Sequence, residues 1–403
     1  MTDLEPNIHL IILLIGVIII LSILTKFGLQ RFNIPVLVGY LCLGLLLRIM
    51  EDNFSLLADV GLEIIKFLGD VGLISLLFRV GLESDLGKLI QQLKRASLVW
   101  LGDVAISGLV GFVIPVVLLK LDTISSLFIA TAMTATSVGI SVSIWQEAQG
   151  LNSPNGELML DVAEMDDISA IFFMALLFNI VPVIHNGYQT NLDVLIIKTI
   201  IIFLFKAIFF AGFCFFFSRY LEPHVTTFFR KFDPPADFTL SIVGFGFLIA
   251  AIAGLLGFSE AVGAFFAGLL FSRDPEAVKI DASFDMLYDL FVPFFFISIG
   301  LAIDVTTLGD GITWGTVLLI GAVLGKVIGA GVPAFLVAGW HGSMVIGLSM
   351  VPRAEIMMVV MQHGLNLGEW AVSSEVFSAM IFVCAVTSVV TPFVLRSLLN
   401  PTY

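Results

Sequence analysis

The sequence is poor in charge. Asp, Glu, Lys and Arg make up 13% of its 403 residues, against about 25% in soluble domains. With 59% hydrophobic residues, there is too little polar side chain to cover two or three soluble domains, which excludes that class. Basic residues are the scarcer sign, 19 against 32 acidic, giving a net charge of −13. Nucleic acid is thereby excluded as a partner, because phosphate binding needs basic patches. Cysteine is nearly absent. Cys42, Cys214 and Cys384 lie far apart within apolar runs, so they read as small packing residues and not as a disulfide framework. The opening residues 1–6 lack the basic region of a secretory signal, so the first apolar run is read as retained. His9, His185, His224, His341 and His363 fall in loops or near span ends without ligand spacing, and no cofactor is expected.

What the sequence has instead is long apolar runs, 37 phenylalanines and a mean hydropathy of +1.07. Runs of about 20 apolar residues cross a bilayer as helices, so the expected class is an all-α integral membrane protein. Thirteen spans are expected, at 8–25, 34–50, 60–82, 97–119, 124–146, 157–184, 193–218, 238–257, 260–272, 286–303, 313–338, 343–366 and 373–398. The break at Gly257-Phe258-Ser259-Glu260 reads either as a loop or as a kink, and a kink would leave twelve. With the N-terminus outside, eleven Lys and Arg lie on the cytoplasmic side: Lys26, Arg31, Lys88, Lys94, Arg95, Arg219, Arg230, Lys231, Arg273, Lys279 and Arg396. Four lie outside: Arg48, Lys66, Lys120 and Lys198. This bias predicts an external N-terminus and a cytoplasmic C-terminus. Connections are short, and no soluble domain is expected after the last span. Small residues at four-residue spacing, Gly321/Gly325/Gly329 and Gly263/Ala267, predict close helix packing.

Ionisable residues inside apolar spans are costly unless paired or hydrated. They are Arg79, Asp103, Asp161, Glu164, Asp166, Asp167, Lys206, Lys326, Arg353 and Glu355. Adjacent positions on a helix point about 100° apart, so Asp166 and Asp167 are expected to do different jobs: one faces a salt-bridge partner, the other an aqueous cavity. Burial disfavours the charged form of a carboxylate, which lets a proton and a small cation compete for the same oxygens. The bland alternative is a cap on a shortened helix, but the apolar stretch after Asp167 speaks against it. Lys326 stands too deep to reach water and needs a carboxylate, with Asp166 or Asp167 as leading partner. Its setting, Gly321 to Gly329, superficially looks like a phosphate-binding loop. Three residues separate Gly321 from Gly325 where four are required, and Val327 stands where Ser or Thr is needed, so that reading fails.

Two spans carry interruptions. One is Thr131-Ala-Met-Thr134-Ala-Thr136-Ser137-Val-Gly139, the other Met350-Val-Pro352-Arg353-Ala-Glu355. Each is either a kink or an unwound stretch. If the seventh span links two six-helix halves, both interruptions fall in the fifth helix of their half, and the halves are inverted repeats. Interrupted helices at matching positions of inverted repeats mark the midplane site of secondary transporters.

At these residues the chain resembles the monovalent cation:proton antiporter superfamily, specifically bacterial sodium/proton antiporters of the cation:proton antiporter-2 family. Ile34-Pro35-Val-Leu-Val-Gly39-Tyr40 is similar to its early helix, Thr134 to Ile140 to its unwound core helix, and Met165-Asp166-Asp167 to its paired-aspartate site. Ser259 to Leu270, Phe294 to Leu301 and Val351 to Glu355 are similar to later motifs. The resemblance implies a homodimer of two inverted six-helix repeats with crossed, interrupted helices. By it, residues 1–96 and 238–304 are scaffold (dimerisation) helices, 97–185 and 305–403 the two halves of an ion-transporting core, and 186–237 a linker. Asp167 would bind Na+, Li+ or K+, or a proton. Asp166 would pair with Lys326, and Thr134, Thr136 and Ser137 would supply oxygens. Arg353 and Glu355 would hold the crossed helices and balance charge.

Asp-Asp with a span lysine goes, in that family, with electrogenic exchange of two protons per sodium; lysine can release the second proton once its pair is broken. The sequence departs from the pattern at Arg79, at the extra acids Asp161 and Glu164, and at Ala354 where glycine is common. Arg79 is expected to snorkel or to pair with Glu164 or Asp103; Glu164 and Arg79 are accessory candidates.

Three other readings compete with transport of a bare cation. A sodium-coupled importer of an organic anion needs a larger polar cavity, and a potassium/proton efflux system regulated by nucleotide needs a nucleotide-binding domain. An intramembrane aspartyl protease needs aspartates on separate helices and a Gly-x-Gly-Asp signature that is absent. The expected activity is therefore transport, not enzymatic catalysis, in a multi-pass protein of the bacterial inner membrane.

Overall fold

The computed structural model describes residues 8–32, 34–54, 59–83, 86–186, 192–221, 224, 227–228, 235–272 and 277–399. Arg230, Lys231 and Arg273 of the basic-residue count, and residues 1–6, lie outside them. The described residues are almost wholly helical and contain no strand. Helix stands over every one of the thirteen expected spans. Among the described residues seven stretches are each long and apolar enough to cross a membrane, including Ile11–Gln30, Ala96–Leu119, Pro154–His185 and Ser374–Leu399. The protein is a multi-pass membrane protein.

The chain forms two compact units. The first comprises Met1–Asp85 and Ile197–Ile303. It holds α1 (Ile8–Gln30), α2 (Val36–Phe54) and α3 (Asp59–Glu83), then most of the later α8 (Leu192–Phe216), α9 (Pro235–Leu255), α10 (Glu260–Phe271) and α11 (Ala277–Leu301). The break between α9 and α10 is a true turn. Gly257 sits at φ +86°, a conformation that only glycine adopts freely, and Ser259 caps α10 by accepting from the Val262 N–H at 3.3 Å. The two helices then pack with Gly263 against Ala250 and Ala253, so the break is a loop between two helices and not a kink within one. Lys206 on α8 donates to the Leu256 carbonyl at the end of α9, 2.9 Å away.

The second unit comprises Leu86–Ile196 and Asp304–Tyr403. It holds α4 (Leu86–Ile114), α5 (Thr123–Thr134), α6 (Val138–Glu147), α7 (Pro154–Asn186), α12 (Leu308–Ser349), α13 (Glu355–Leu367) and α14 (Ser374–Leu399). α4 begins eleven residues before the apolar run expected at 97, because its helical register continues through the polar stretch at Leu86–Arg95. It leaves the helix through a π turn, Pro115–Leu119, that ends at left-handed Lys120. Asp122 then caps α5, its Oδ1 accepting from the N–H groups of Ile124 and Ser125 at 2.8 and 3.0 Å. α12 covers the eleventh span and the first part of the twelfth, broken only at Gly339, where φ is +70° and ψ −173°.

α4 and α12 meet through glycine. A Cβ on Gly102 would lie 2.7 Å from the Gly329 carbonyl oxygen, and one on Gly325 would lie 3.2 Å from the Ser107 Cα. The stripe Gly321/Gly325/Gly329 therefore faces Ile114, Ser107 and Gly102-Asp103 in turn. That approach brings residue 103 of one helix alongside residue 326 of the other. Gly102→Ala is expected to lower stability by about 1–3 kcal/mol through overpacking against backbone. The measurement is the thermal unfolding midpoint of purified protein, with Gly16→Ala, whose Cβ would meet nothing within 4 Å, leaving the midpoint in place.

Candidate ion site in the second unit

Two half-helix pairs cross in this unit. α5 stops at Thr134 because the next residues prefer extended backbone. Ala135 has ψ 147° and Ser137 ψ 97°, and the hydroxyls of Thr134, Thr136 and Ser137 compete with helical hydrogen bonding. α12 stops at Ser349 and α13 restarts at Glu355, with Pro352 unable to donate to a helix between them. Both stretches are unwound and not merely kinked. They bond to each other directly: the Ser137 N–H donates to the Pro352 carbonyl at 2.8 Å, and Thr136 Oγ1 reaches the Met350 carbonyl at 3.3 Å. Trp145 Nε1 donates to Ser349 Oγ at 2.9 Å, and Ser388 Oγ on α14 donates to the Arg353 carbonyl at 3.0 Å. Backbone freed by the interruptions is thus satisfied inside the protein, as a bilayer requires.

Lys326 lies at the centre of this crossing, fully buried. Its Nζ donates to Asp166 Oδ2 at 2.6 Å, to Asp103 Oδ2 at 2.8 Å and to the Thr134 carbonyl at 2.6 Å. An ammonium has three donors, and all three are used. Asp103 and Asp166 are fully buried too. Thr136 Oγ1 donates to the same Asp166 Oδ2 at 2.7 Å.

Arg353, also fully buried, spreads its guanidinium over main-chain oxygens: Val351 at 2.8 Å, Met133 at 3.1 Å and Ala322 at 3.0 Å. The last carbonyls of α5, at Met133 and Thr134, therefore face two cations, the favourable sign at a helix C-terminus. Glu355 occupies the first turn of α13, the favourable place for an anion, and its Oε2 accepts from Ser137 Oγ at 3.1 Å.

Asp167 is built differently. It is 8% exposed, where Asp103 and Asp166 are at 0%, and its buried Oδ1 accepts no hydrogen bond from the protein. The charged groups around it are Glu355, Asp166, Lys326 and Glu164. Glu164 lies one turn earlier on α7, on the same face. The two adjacent aspartates have separate surroundings: Oδ2 of Asp166 is tied to Lys326 and Thr136, which do not bond Asp167, while Oδ1 of each is buried without a protein donor.

Most of the residues singled out in the sequence meet here: Asp166, Lys326, Thr134, Thr136, Ser137, Arg353 and Glu355, with Asp167 adjacent. Thr134 meets Lys326 through its carbonyl, while its hydroxyl is turned to the Thr131 carbonyl of its own helix at 2.8 Å. Arg79 forms ion pairs, one of the two readings open for it, but with other acids. It lies in the first unit, where it pairs with Glu83 at 2.8 Å and Asp285 at 2.9 Å, and covers the Tyr288 ring at 4.5 Å. Asp103, one partner considered for it, is taken by Lys326. The second acid on Lys326 was the residue that sequence reasoning missed. The available signal was the small-residue stripe around Lys326, which calls for an equally small neighbour, and Gly102-Asp103 offers one beside a carboxylate.

Comparison with known proteins decides the family. The pattern of the family described as sodium/hydrogen exchanger, transmembrane, matches residues 16–400. The chain belongs to the sodium/hydrogen exchanger family. It is 24% identical to a Na+/H+ antiporter of Enterococcus hirae over 96% of this chain and 99% of that one. It is 28% identical to the Na+/H+-K+ antiporter GerN of Bacillus cereus, over 83% of each chain. The K+/H+ antiporter subunit KhtU of Bacillus subtilis is also 28% identical, over 80% of this chain and 78% of that one. The solved structure of the sodium proton antiporter MjNhaP1 from Methanocaldococcus jannaschii at pH 8 shares the fold, with a TM-score of 0.70 at 16% identity. That match covers 97% of this chain and 96% of the other. Family and fold together make the protein a membrane exchanger of a monovalent cation against protons.

Removing Lys326 leaves two carboxylates buried without their cation. Lys326→Met is expected to destabilise the protein by about 3–5 kcal/mol, read as a fall in the thermal unfolding midpoint. Adding Asp103→Asn to that variant is expected to restore part of the loss.

Proposed function

We propose that the protein exchanges Na+, with Li+ or K+ as further substrates, for protons by alternating access, and that Asp167 is the group the two ions visit in turn. The observation that carries this reading is the Asp167 carboxyl itself. It is 8% exposed where Asp103 and Asp166 are at 0%, has an oxygen without a protein donor, and, unlike those two, is not an acceptor of Lys326. A cation that sheds its water there meets carboxylate, hydroxyl and main-chain oxygens, the hard ligands that alkali ions prefer. A proton on Asp167 and a cation at Asp167 exclude each other, which couples the two fluxes. Cation entry also draws on Asp166, opening its pair with Lys326.

On this reading more protons than cations cross per turn and one net charge moves, so the membrane potential drives the step with about 2.3 kcal/mol per 100 mV. The Asp-Asp-Lys set and the resemblance to the cation:proton antiporter-2 family support this electrogenic form. Potassium is the second reading for the cation, supported by relatives named for K+ as well as Na+. Residues 97–185 and 305–403 are proposed as the ion-transporting core, and 1–96 and 238–304 as scaffold that pairs two copies of the chain. The eleven-to-four distribution of basic residues supports an external N-terminus and a cytoplasmic C-terminus in a bacterial inner membrane.

The test is reconstitution in liposomes with an acidic interior. Adding Na+, Li+ or K+ outside is expected to release protons, and Asp167→Asn is expected to lower that release at least a hundredfold. An imposed potential is expected to change the rate in the unmodified protein. Absence of proton release with all three cations, in protein shown to be folded, would overturn the exchange reading.

A further inference from the structure

Asp103 has no part in the exchange as described, yet it holds the same ammonium as Asp166. Building on the exchange reading, we propose that Asp103 is a positioning residue that sets cation affinity through Lys326, holding the ammonium while Asp166 turns to the cation.

The geometry supplies the reason. Asp166 Oδ2 receives both Lys326 Nζ and Thr136 Oγ1. When Asp166 leaves that position, Lys326 loses one of only three acceptors. Without Asp103, a fully buried ammonium would be left with the Thr134 carbonyl alone, and an uncompensated buried charge is strongly unfavourable. With Asp103 at 2.8 Å, the charge keeps a carboxylate throughout. Asp103 also competes with Asp166 for one cation, which loosens the Asp166 pair, and its negative charge favours a positive ion close by.

Asp103 is dedicated to this task. Its Oδ2 is spent on Lys326, its neighbours in the site are Lys326 and Asp166, and Oδ1 is buried without a partner. Its backbone is fixed by the Gly102–Gly329 contact, and its carbonyl accepts from Ser107 Oγ at 2.6 Å. Asp103 therefore stays in place while Asp166, on a different helix, changes partner.

Asp103→Asn tests this, because the amide keeps an oxygen for Lys326 and removes the charge. In proteoliposomes the KM for Na+ is expected to rise about tenfold, with maximal rate within about twofold of the unmodified protein. In detergent, the Na+ concentration giving half of the maximal thermal stabilisation is expected to rise by a similar factor. Unchanged KM and unchanged half-saturation would overturn the proposal, whatever the maximal rate. If Asp103→Asn does not accumulate folded, Asp103→Glu carries the test. It keeps the charge and moves it by one methylene, so KM is expected to shift about threefold at nearly constant maximal rate, and an unmoved KM overturns the proposal. Unmodified protein that shows no cation-driven proton release would instead fail the exchange reading itself, which separates the two.

Discussion

A lysine ammonium without access to water must find an acceptor for each of its three protons and a negative charge for itself. Lys326 meets both demands with Asp103, Asp166 and the Thr134 carbonyl. The last of these exists as a free acceptor only because α5 ends there; in a continuous helix that oxygen would serve the backbone four residues on. The interruption and the ion pair are consequently one feature. The glycine stripe belongs to it as well, since a side chain at Gly329 or Gly102 would push α4 away from α12 and leave Asp103 short of the ammonium.

Arg353 does the corresponding work for the second interruption. Pro352 and the turn from Met350 to Ala354 free several carbonyls, and a guanidinium is suited to gather oxygens from different segments because its donors fan out in a plane. It takes one from its own loop, one from the end of α5 and one from α12. Between them the two cations secure the end of α5 and the crossing, while Ser137 links the start of α6 to Glu355 at the start of α13. Every polar group tied in this way is committed to holding the crossing. Asp167 is not among the three acceptors of Lys326 and its Oδ1 has no protein donor, so on the proposed reading it is the carboxyl left for a movable ion.

Much of this was legible in the sequence, and the limits have physical causes. Apolar runs located the spans, because length and hydropathy alone decide bilayer crossing. The need of Lys326 for a carboxylate followed from burial. Which of two neighbouring aspartates would serve did not, since helix rotation separates them without saying which faces inward. Asp103 lies 223 residues from Lys326 in sequence, and only packing brings them together. The partner of Arg79 was out of reach for the same reason: Asp285 lies 206 residues away in sequence, and only packing brings the two together. The turn at Gly257 was undecidable because a kink and a reversal use the same residues; the left-handed φ and the Ser259 cap resolve it.

The charge count of the crossing explains why a cation and not an organic anion is the fitting cargo. Three buried aspartates, at 103, 166 and 167, face two buried cations, Lys326 and Arg353, and Glu355 and Glu164 add to the acidic excess near Asp167. An incoming carboxylate would enlarge that excess and would find all three Lys326 donors spent. A proton or a bare cation reduces it. The hydroxyls point the same way: Thr136 donates to Asp166 and Ser137 to Glu355, which directs their hydrogens toward carboxylates and leaves oxygen lone pairs for a positive ligand. An excess of acid in a nonpolar surrounding is unfavourable until one of the two positive ligands occupies it. Because either one relieves the same excess, each displaces the other, and competition for one deficit of positive charge is the physical basis of exchange.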